Sequence, residues 1–230
     1  KTTIEFIVDD SPEAYPVAIA KHCDDGADDK DGYSEFDTST ILNTLLTNPT
    51  TGLSQNLIDY TVSFSYNDDK GVSQTTATLP NPFNTKTQSV IATVTNPLNL
   101  DCVITESIEF VVNPLPSFDI DDDTVVCLNP LPGQPVEIGT SNWNGGTTAS
   151  IYNYYWTLDS DPSFNETTET IFVNTGGVYT VVVENPVTLC TREKSITVSE
   201  SEMASLDLDD DGSITKSEYD HFIQVIDLAN

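Results

Sequence analysis

A stretch near the middle of the chain recurs near its end, and this internal repeat limits the fold more than any other feature. Residues 94–112 are VTNPLNLDCVITESIEFVV, and residues 183–198 are VENPVTLCTREKSITV. In both copies an Asn-Pro pair precedes a cysteine, and a Ser-Ile pair begins five residues after that cysteine. Apolar and polar residues alternate on both sides of the Asn-Pro turn, as expected for a β-hairpin. The sequence therefore predicts β-rich modules of one type in tandem.

The predicted fold class is all-β, with two immunoglobulin-like β-sandwiches in series and a small helical EF-hand at the C-terminus. Residues 1–10 resemble the last strand of a preceding module, or form the first strand of the first sandwich. The domain boundaries that we predict are 11–113 for module 1, 114–199 for module 2 and 200–230 for the EF-hand motif.

Alternating residues ahead of each hairpin support the sandwich prediction. In module 1 the alternating apolar and aromatic residues are Tyr60, Val62, Phe64 and Tyr66. In module 2 they are Tyr152, Tyr154, Trp156 and Leu158. A tryptophan on a middle strand and a cysteine near each end are features of immunoglobulin domains. The tyrosine spacing differs, because no tyrosine lies shortly before the second cysteine as it does in antibody domains.

Four cysteines occupy equivalent places in the two modules, so the repeat predicts one disulfide within each. The expected pairs are Cys23 with Cys102 and Cys127 with Cys190. Disulfides of this kind indicate an oxidising compartment. Zinc binding by the four thiolates is the alternative, but the sequence lacks the close Cys-x-x-Cys spacing of zinc sites.

The clearest chemical motif is a twelve-residue EF-hand loop at residues 207–218, DLDDDGSITKSE. Calcium prefers six to eight oxygen ligands, and this loop offers carboxylates at alternate positions, a glycine for the sharp turn and a closing glutamate. The alternative is a solvated acidic linker. The predicted calcium ligands are Asp207, Asp209, Asp211, Ser213, Thr215 and Glu218.

A second acidic segment follows Cys23, and it lacks carboxylates at the first and last EF-hand positions. So many carboxylates repel one another unless a cation or solvent screens them, so we predict either a calcium loop or a hydrated surface loop. Its candidate ligands are Asp24, Asp25, Asp28, Asp29, Asp31 and Asp37. The carboxylates of residues 119–123, just after the module junction, are further candidates.

Composition excludes several classes of partner. The formal net charge is −29, which repels nucleic-acid backbones and anionic membranes. No apolar run approaches the roughly 20 residues that span a bilayer. The two histidines have no nucleophile in a recognisable motif nearby, and no carboxylate pair stands out for glycoside hydrolysis. We therefore expect no enzymatic activity.

Three segments together resemble the repeats of giant cell-surface proteins of Bacteroidetes. They are the acidic loop from Cys23 to a Phe-Asp pair, the Asn-Pro hairpin ending in a cysteine, and DDDTVVCLNP at residues 121–130. This resemblance covers residues 2–198 and points to gliding-motility adhesins and related substrates of the type IX secretion system. It implies immunoglobulin-like stalk domains and display on the bacterial surface. The C-terminal sorting domain of that family is not in this sequence, and an EF-hand is not a usual part of the repeat.

The function that we expect is a calcium-stabilised, adhesive stalk segment of a large surface or secreted protein. Its expected partners are a surface glycan or protein ligand, neighbouring modules and other copies of itself. The alternative is a pair of accessory carbohydrate-binding modules of a secreted polysaccharide-degrading enzyme. In that case the sugar would stack on Trp143, Tyr152, Tyr154, Tyr155 and Trp156.

Overall fold

The structure, a computed structural model, describes residues 11–127, 135–141, 151–201 and 216, and these are mostly β-strand. The chain divides into two compact units, Lys1–Leu115 (unit 1) and Pro116–Asn230 (unit 2). The strand expected within residues 1–10 and the calcium ligands expected in the EF-hand lie outside the described residues.

Unit 1 consists of short strands and one described helix around a long hairpin. Its elements are β1 (His22–Cys23), β2 (Ser34–Phe36), α1 (Ile41–Leu46), β3 (Thr61–Asn67), β4 (Ser73–Thr76), β5 (Phe83–Thr85), β6 (Gln88–Asn96), β7 (Asn99–Phe110) and β8 (Val112–Asn113).

The main sheet of unit 1 is antiparallel and has the strand order β4-β3-β6-β7. Residues of β2, α1 and β5 share one hydrophobic core with it. Phe64 of β3 lies opposite Ala92 of β6, and both side chains are buried. The ring of Phe110 meets Phe36 and Phe83 edge to face, with centroid separations of 5.1 and 5.2 Å. The alternation predicted around Phe64 is therefore confirmed as a core strand.

Unit 2 also has a main sheet around a long hairpin, and its core includes a second sheet of three strands. Its elements are β9 (Asp119–Ile120), β10 (Thr124–Cys127), β11 (Val136–Ser141), β12 (Asn153–Leu158), β13 (Asp161–Glu166), β14 (Thr170–Val173), β15 (Gly177–Glu184) and β16 (Thr191–Ser201).

Strand order identifies unit 2 as an immunoglobulin-like sandwich. One sheet has the order β10-β16-β15-β12-β13 and the other β14-β11-β9. Strands β12, β15 and β16 thus correspond to C, F and G of the immunoglobulin fold, while β11 and β14 correspond to B and E. Trp156 of β12 is fully buried, and its indole N–H donates to the carbonyl of Thr168 at 2.9 Å. The structure confirms a mostly β fold for the described residues, and an immunoglobulin-like sandwich in unit 2.

The tyrosine corner of immunoglobulin domains is also present, although the sequence spacing argued against it. The hydroxyl of Tyr179, near the start of β15, donates to the carbonyl of Thr175 at 2.8 Å. Val181 follows two residues later, is fully buried, and lies opposite Trp156. A valine thus fills the place that the second cysteine has in antibody domains. The cysteine near the end of each module is a different feature.

Removal of the Tyr179 hydroxyl should destabilise unit 2. In Tyr179→Phe the Thr175 carbonyl loses its hydrogen bond, so the free energy of unfolding should fall by about 1 kcal/mol. Tyr155→Phe is the control, since the Tyr155 side chain is 43% exposed, and it should change stability by less than about 0.5 kcal/mol. Both tryptophans, Trp143 and Trp156, belong to unit 2, so urea unfolding followed by tryptophan fluorescence reports on this unit. Equal losses in the two variants would contradict the assignment.

Candidate functional site: cysteines at the strand ends

Cys102 lies at the turn end of the β6–β7 hairpin. Thr95 pairs with Val103, and the register shifts directly beyond that pair. The side-chain oxygen of Asn96 accepts the backbone N–H of Leu98 at 2.9 Å, which shapes the Asn-Pro turn. Cys102 is half-buried and carries a free thiol.

Cys190 occupies the equivalent place in the hairpin of unit 2. The Asn185 N–H donates to the Cys190 carbonyl at 2.9 Å, and the side-chain Oδ1 of Asn185 accepts the Val187 N–H at 3.0 Å. Leu189 has a φ of 62°, a left-handed conformation that turns the chain toward β16. Cys190 is fully buried and is disulfide-bonded.

Cys23 lies at the opposite end of unit 1. Strand β1 pairs in parallel with β8, which places Cys23 beside Asn113. The Asp24 N–H donates to the Asn113 carbonyl at 2.8 Å, and the His22 ring stacks on Phe36 with centroids 4.3 Å apart. Both contacts anchor β1 at the end of the last strand of unit 1. Cys23 is disulfide-bonded.

The predicted pairing of Cys23 with Cys102 is wrong. Along β7, Cys102 and Phe110 are separated by about 27 Å at the rise of a strand, and Cys23 lies beside Asn113, further along the chain. The Cα atoms of a disulfide are within about 7 Å of each other. The two cysteines are at opposite ends of unit 1, which agrees with the free thiol of Cys102.

The predicted pairing of Cys127 with Cys190 is wrong for the same reason. Strand β10 is parallel to β16, and the backbone of Cys127 pairs with Ser201. Cys190 directly precedes β16, whose first and last residues are about 33 Å apart. In both units one cysteine therefore lies at the hairpin end and the other at the end of the last strand.

The chain enters unit 2 close to Cys190. The Lys194 ammonium is 3.4 Å from a carboxylate oxygen of Asp119 and 5.2 Å from the centroid of Phe118. Lys194 follows Cys190 by four residues on β16. Unit 1, for its part, ends at the strand that pairs with Cys23. The two bonded cysteines thus lie beside the two ends of the segment that connects the units.

The acidic loop after Cys23 contains one buried carboxylate with an unused oxygen. Asp24 is 3% exposed, and its Oδ2 accepts the Gly32 N–H at 3.0 Å. Its Oδ1 is buried and has no hydrogen-bond partner. Nearby, an open cleft of about 640 Å³ is lined by His22, Asp25, Asp28, Asp31, Tyr33 and Glu35.

Other carboxylates of this loop cap the turns of the loop itself. Asp28, Asp31 and Asp37 each accept the backbone N–H of the residue two positions later, at 3.2, 2.8 and 2.9 Å. Hydrogen bonds from Ser39 hold the pKa of Asp37 below its ordinary value. Asp29 lies in a turn. Among the described residues no group of three or more His, Cys, Asp or Glu side chains is placed to hold a metal. Calcium binding here stays a prediction.

The carboxylates after the module junction hold unit 2 together. Asp121 accepts the Gly139 N–H at 2.7 Å, and Asp123 accepts the Thr197 N–H at 2.8 Å. These bonds connect the start of unit 2 to β11 and β16. The structure thus gives these side chains protein partners.

The aromatic residues expected to stack on sugar are mostly in the core. Tyr154 is 5% exposed and Trp156 is fully buried, and burial raises the pKa of Tyr154 to about 12. Tyr152 is partly buried against the same core, and Tyr155 faces solvent. Trp143 lies outside the described residues. The alternation that suggested a sugar platform is the inward face of a core strand.

Residues 19–116 match a family model described as the Flavobacterium inter-domain disulphide bond domain. The matched range contains Cys23 and Cys102 and covers most of unit 1. The match points to surface proteins of Flavobacterium and other Bacteroidetes, which agrees with the resemblance found in the sequence. No curated protein matches the chain.

Several solved structures with tandem immunoglobulin domains are similar to this chain. The N-terminal four Ig domains of Dscam1 isoform 7.44 are 14% identical, with a TM-score of 0.29 over 62% of this chain and 38% of theirs. Three N-terminal domains of the bacteriophage RB49 outer capsid protein Hoc are 19% identical, with a TM-score of 0.32 over 64% and 51%. Three titin Ig domains are 9% identical, with a TM-score of 0.31 over 61% and 55%. The chain thus spans between 38% and 55% of these structures.

The two bonded cysteines and the family match indicate a structural, multi-domain extracellular protein. Over the described residues, no helix is both long enough and apolar enough to cross a bilayer.

Thiol labelling should separate the observed bonding from the predicted one. Native protein treated with iodoacetamide should be modified at Cys102, while Cys23 and Cys190 should react only after reduction. Labelling at Cys102 should accelerate in urea, because its side chain is half-buried when folded. Peptide mass spectrometry measures all three sites. Protection of Cys102 together with labelling of Cys190 would support the pairing within module 1 instead.

Proposed function

We propose that this chain is a structural segment of a longer, surface-displayed bacterial protein, whose immunoglobulin-like units are connected end to end by disulfides. The observation that supports this best is the position of the two bonded cysteines. Cys23 lies where unit 1 ends, and Cys190 lies near the place where the chain enters unit 2. A bond between them would join the units next to their peptide connection.

The bonding states favour Cys23 and Cys190 as the two halves of this bond. Cys102 is a free thiol, so the chain leaves Cys127 and Cys190 as partners for Cys23. If Cys23 took Cys127, no cysteine of the chain would remain for Cys190, which is itself bonded. The description of the matched family, an inter-domain disulfide domain, points in the same direction.

Such a bond would restrict the units more than the peptide alone does. The segment from Asn113 to Phe118 spans at most about 18 Å when extended. A second covalent connection beside it would add a further constraint on the two units. In the chain-entropy model, closing a loop as long as residues 24–189 contributes about 5 kcal/mol. The proposed role is mechanical rather than catalytic.

A cut in the connecting segment tests the bond directly. With a protease site inserted between Leu115 and Pro116, the cleaved protein should run as one species on a non-reducing gel and as two fragments after reduction. Cys190→Ser should separate into two fragments without reductant. Cys102→Ser is the matched control and should stay connected, because its thiol is free. Separation of the cleaved wild type without reductant would refute the proposal.

The second part of the proposal is calcium. The segment would bind calcium in the EF-hand loop at residues 207–218 and in the acidic loop after Cys23, and calcium would stiffen an adhesive stalk. The buried, unpartnered Oδ1 of Asp24 supports the second site, because a buried carboxylate oxygen without a partner is costly and a cation would satisfy it. The adhesive ligand of the stalk would be a surface glycan or protein.

Calorimetric calcium titration of the chelated protein tests this part. We expect one tight site that Glu218→Gln weakens by at least tenfold, since the closing carboxylate binds bidentately. A weaker site should disappear in Asp24→Asn. Asp161→Asn is the control, because Asp161 lies on β13 of unit 2 and caps Ser163. If none of these substitutions changes the heat of calcium binding, the acidic segments are solvated surface and this part of the proposal is wrong.

A further inference from the structure

We infer that Cys102 is the site of a second inter-module disulfide, and that its partner is the strand-end cysteine of another module of this type. This inference rests on the proposed function, because it extends the Cys23–Cys190 bond to the free end of unit 1. The site is the hairpin end of unit 1, formed by Cys102 with the apolar residues Leu98, Leu100 and Val103.

The first argument is the equivalence of Cys102 and Cys190. In unit 1, Val90 of β6 lies opposite Ile108, and in unit 2, Tyr179 of β15 lies opposite Ile196. Each isoleucine follows the hairpin cysteine of its unit by six residues. The two cysteines therefore occupy one structural position. At this position in unit 2 the sulfur is disulfide-bonded, so the position itself is built to form a disulfide.

The second argument is the surface around the free thiol. Leu98, Leu100 and Val103 are 85, 74 and 50% exposed, all within four residues of Cys102. Exposed apolar side chains next to the thiol offer a surface that another module can cover. The hairpin of unit 2 exposes Val187 and Leu189 in the same manner, beside a cysteine that is bonded.

Charge explains why a covalent connection is needed at such a contact. Each chain carries a formal charge of −29, so association of like modules is opposed electrostatically. Screening within a Debye length of about 8 Å reduces this repulsion at physiological ionic strength without removing it. A small apolar contact can orient the two sulfurs, and the disulfide then holds them.

The partner position is the one that Cys23 occupies in unit 1. There the cysteine lies on a short strand parallel to the last strand of the module, at its final residue. The backbone of Cys127 has the same place in unit 2, beside Ser201. A second copy of this chain therefore supplies a suitable partner for a test.

The reaction is an oxidation of two thiols. The Cys102 and partner sulfurs lose two protons and two electrons as the S–S bond forms, and oxidised glutathione accepts them as it becomes two reduced glutathiones.

The test uses the full chain, incubated at high concentration in a glutathione redox buffer. Non-reducing gels and mass spectrometry of the disulfide-linked peptides should show head-to-tail oligomers joined by Cys102–Cys127. Cys102→Ser should abolish the disulfide-linked oligomers. The matched control moves the thiol to an exposed site on the same strand, Cys102→Ser with Thr105→Cys, and should form linked oligomers at least tenfold more slowly. Leu98→Ser with Leu100→Ser, which keeps the thiol, should also slow the reaction.

Each other outcome overturns the inference. In the first, Cys102 stays reduced or forms a mixed disulfide with glutathione. In the second, the product is joined only by Cys102–Cys102. In the third, the relocated thiol forms linked oligomers as fast as the wild type. The Cys23–Cys190 peptide is measured in the same digest. If it is present while Cys102 stays unlinked, the further inference fails alone. If it is absent, the proposed function fails as well.

Discussion

The pairing of the longest strand in each unit, β7 in unit 1 and β16 in unit 2, determines where the core residues and the cysteines lie. Strand β7 is hydrogen-bonded to β6, and β16 to β15 and β10, so one continuous ladder runs the length of each unit. Its inward residues, such as Ile108 and Ile196, are fully or almost fully buried in the cores. Because side chains alternate along a strand, a slip of one residue would turn these residues outward. The ladder therefore fixes both the core and the end at which each cysteine lies.

Much of this arrangement could be predicted from the sequence. The repeat and the alternating apolar residues located both hairpins and both middle strands, because burial of one strand face produces a period of two. The disulfide pairing could not be obtained in the same way. Repeat symmetry says that Cys102 and Cys190 are equivalent, but it does not say whether each bonds within its own module. The deciding signal was in the spacing, since a cysteine directly after a hairpin turn lies at one end of a long strand.

The tyrosine corner could not be recognised from the sequence. Antibody domains have a cysteine two residues after this tyrosine, whereas this chain has Val181 two residues after Tyr179. Valine packs against Trp156 and is apolar, so the core loses no burial when the sulfur is absent. In unit 1 the corresponding pair is Phe64 facing Ala92, which is smaller, and both of its side chains are buried. The two units thus fill the same place in the sheet with different apolar residues.

The placement of cysteines at strand ends determines how tension would travel through such a protein. With Cys23 bonded to Cys190, a pull between residue 11 and residue 201 passes along a short stretch of chain, through the sulfurs, and out along β16. Residues 24–189, which include most of both cores, lie in a closed loop outside that path. A stretched filament of these modules would give up little length before a disulfide breaks. Extension of the filament would therefore depend on the redox state of its surroundings, because a reductant that cleaves the disulfide would let residues 24–189 extend.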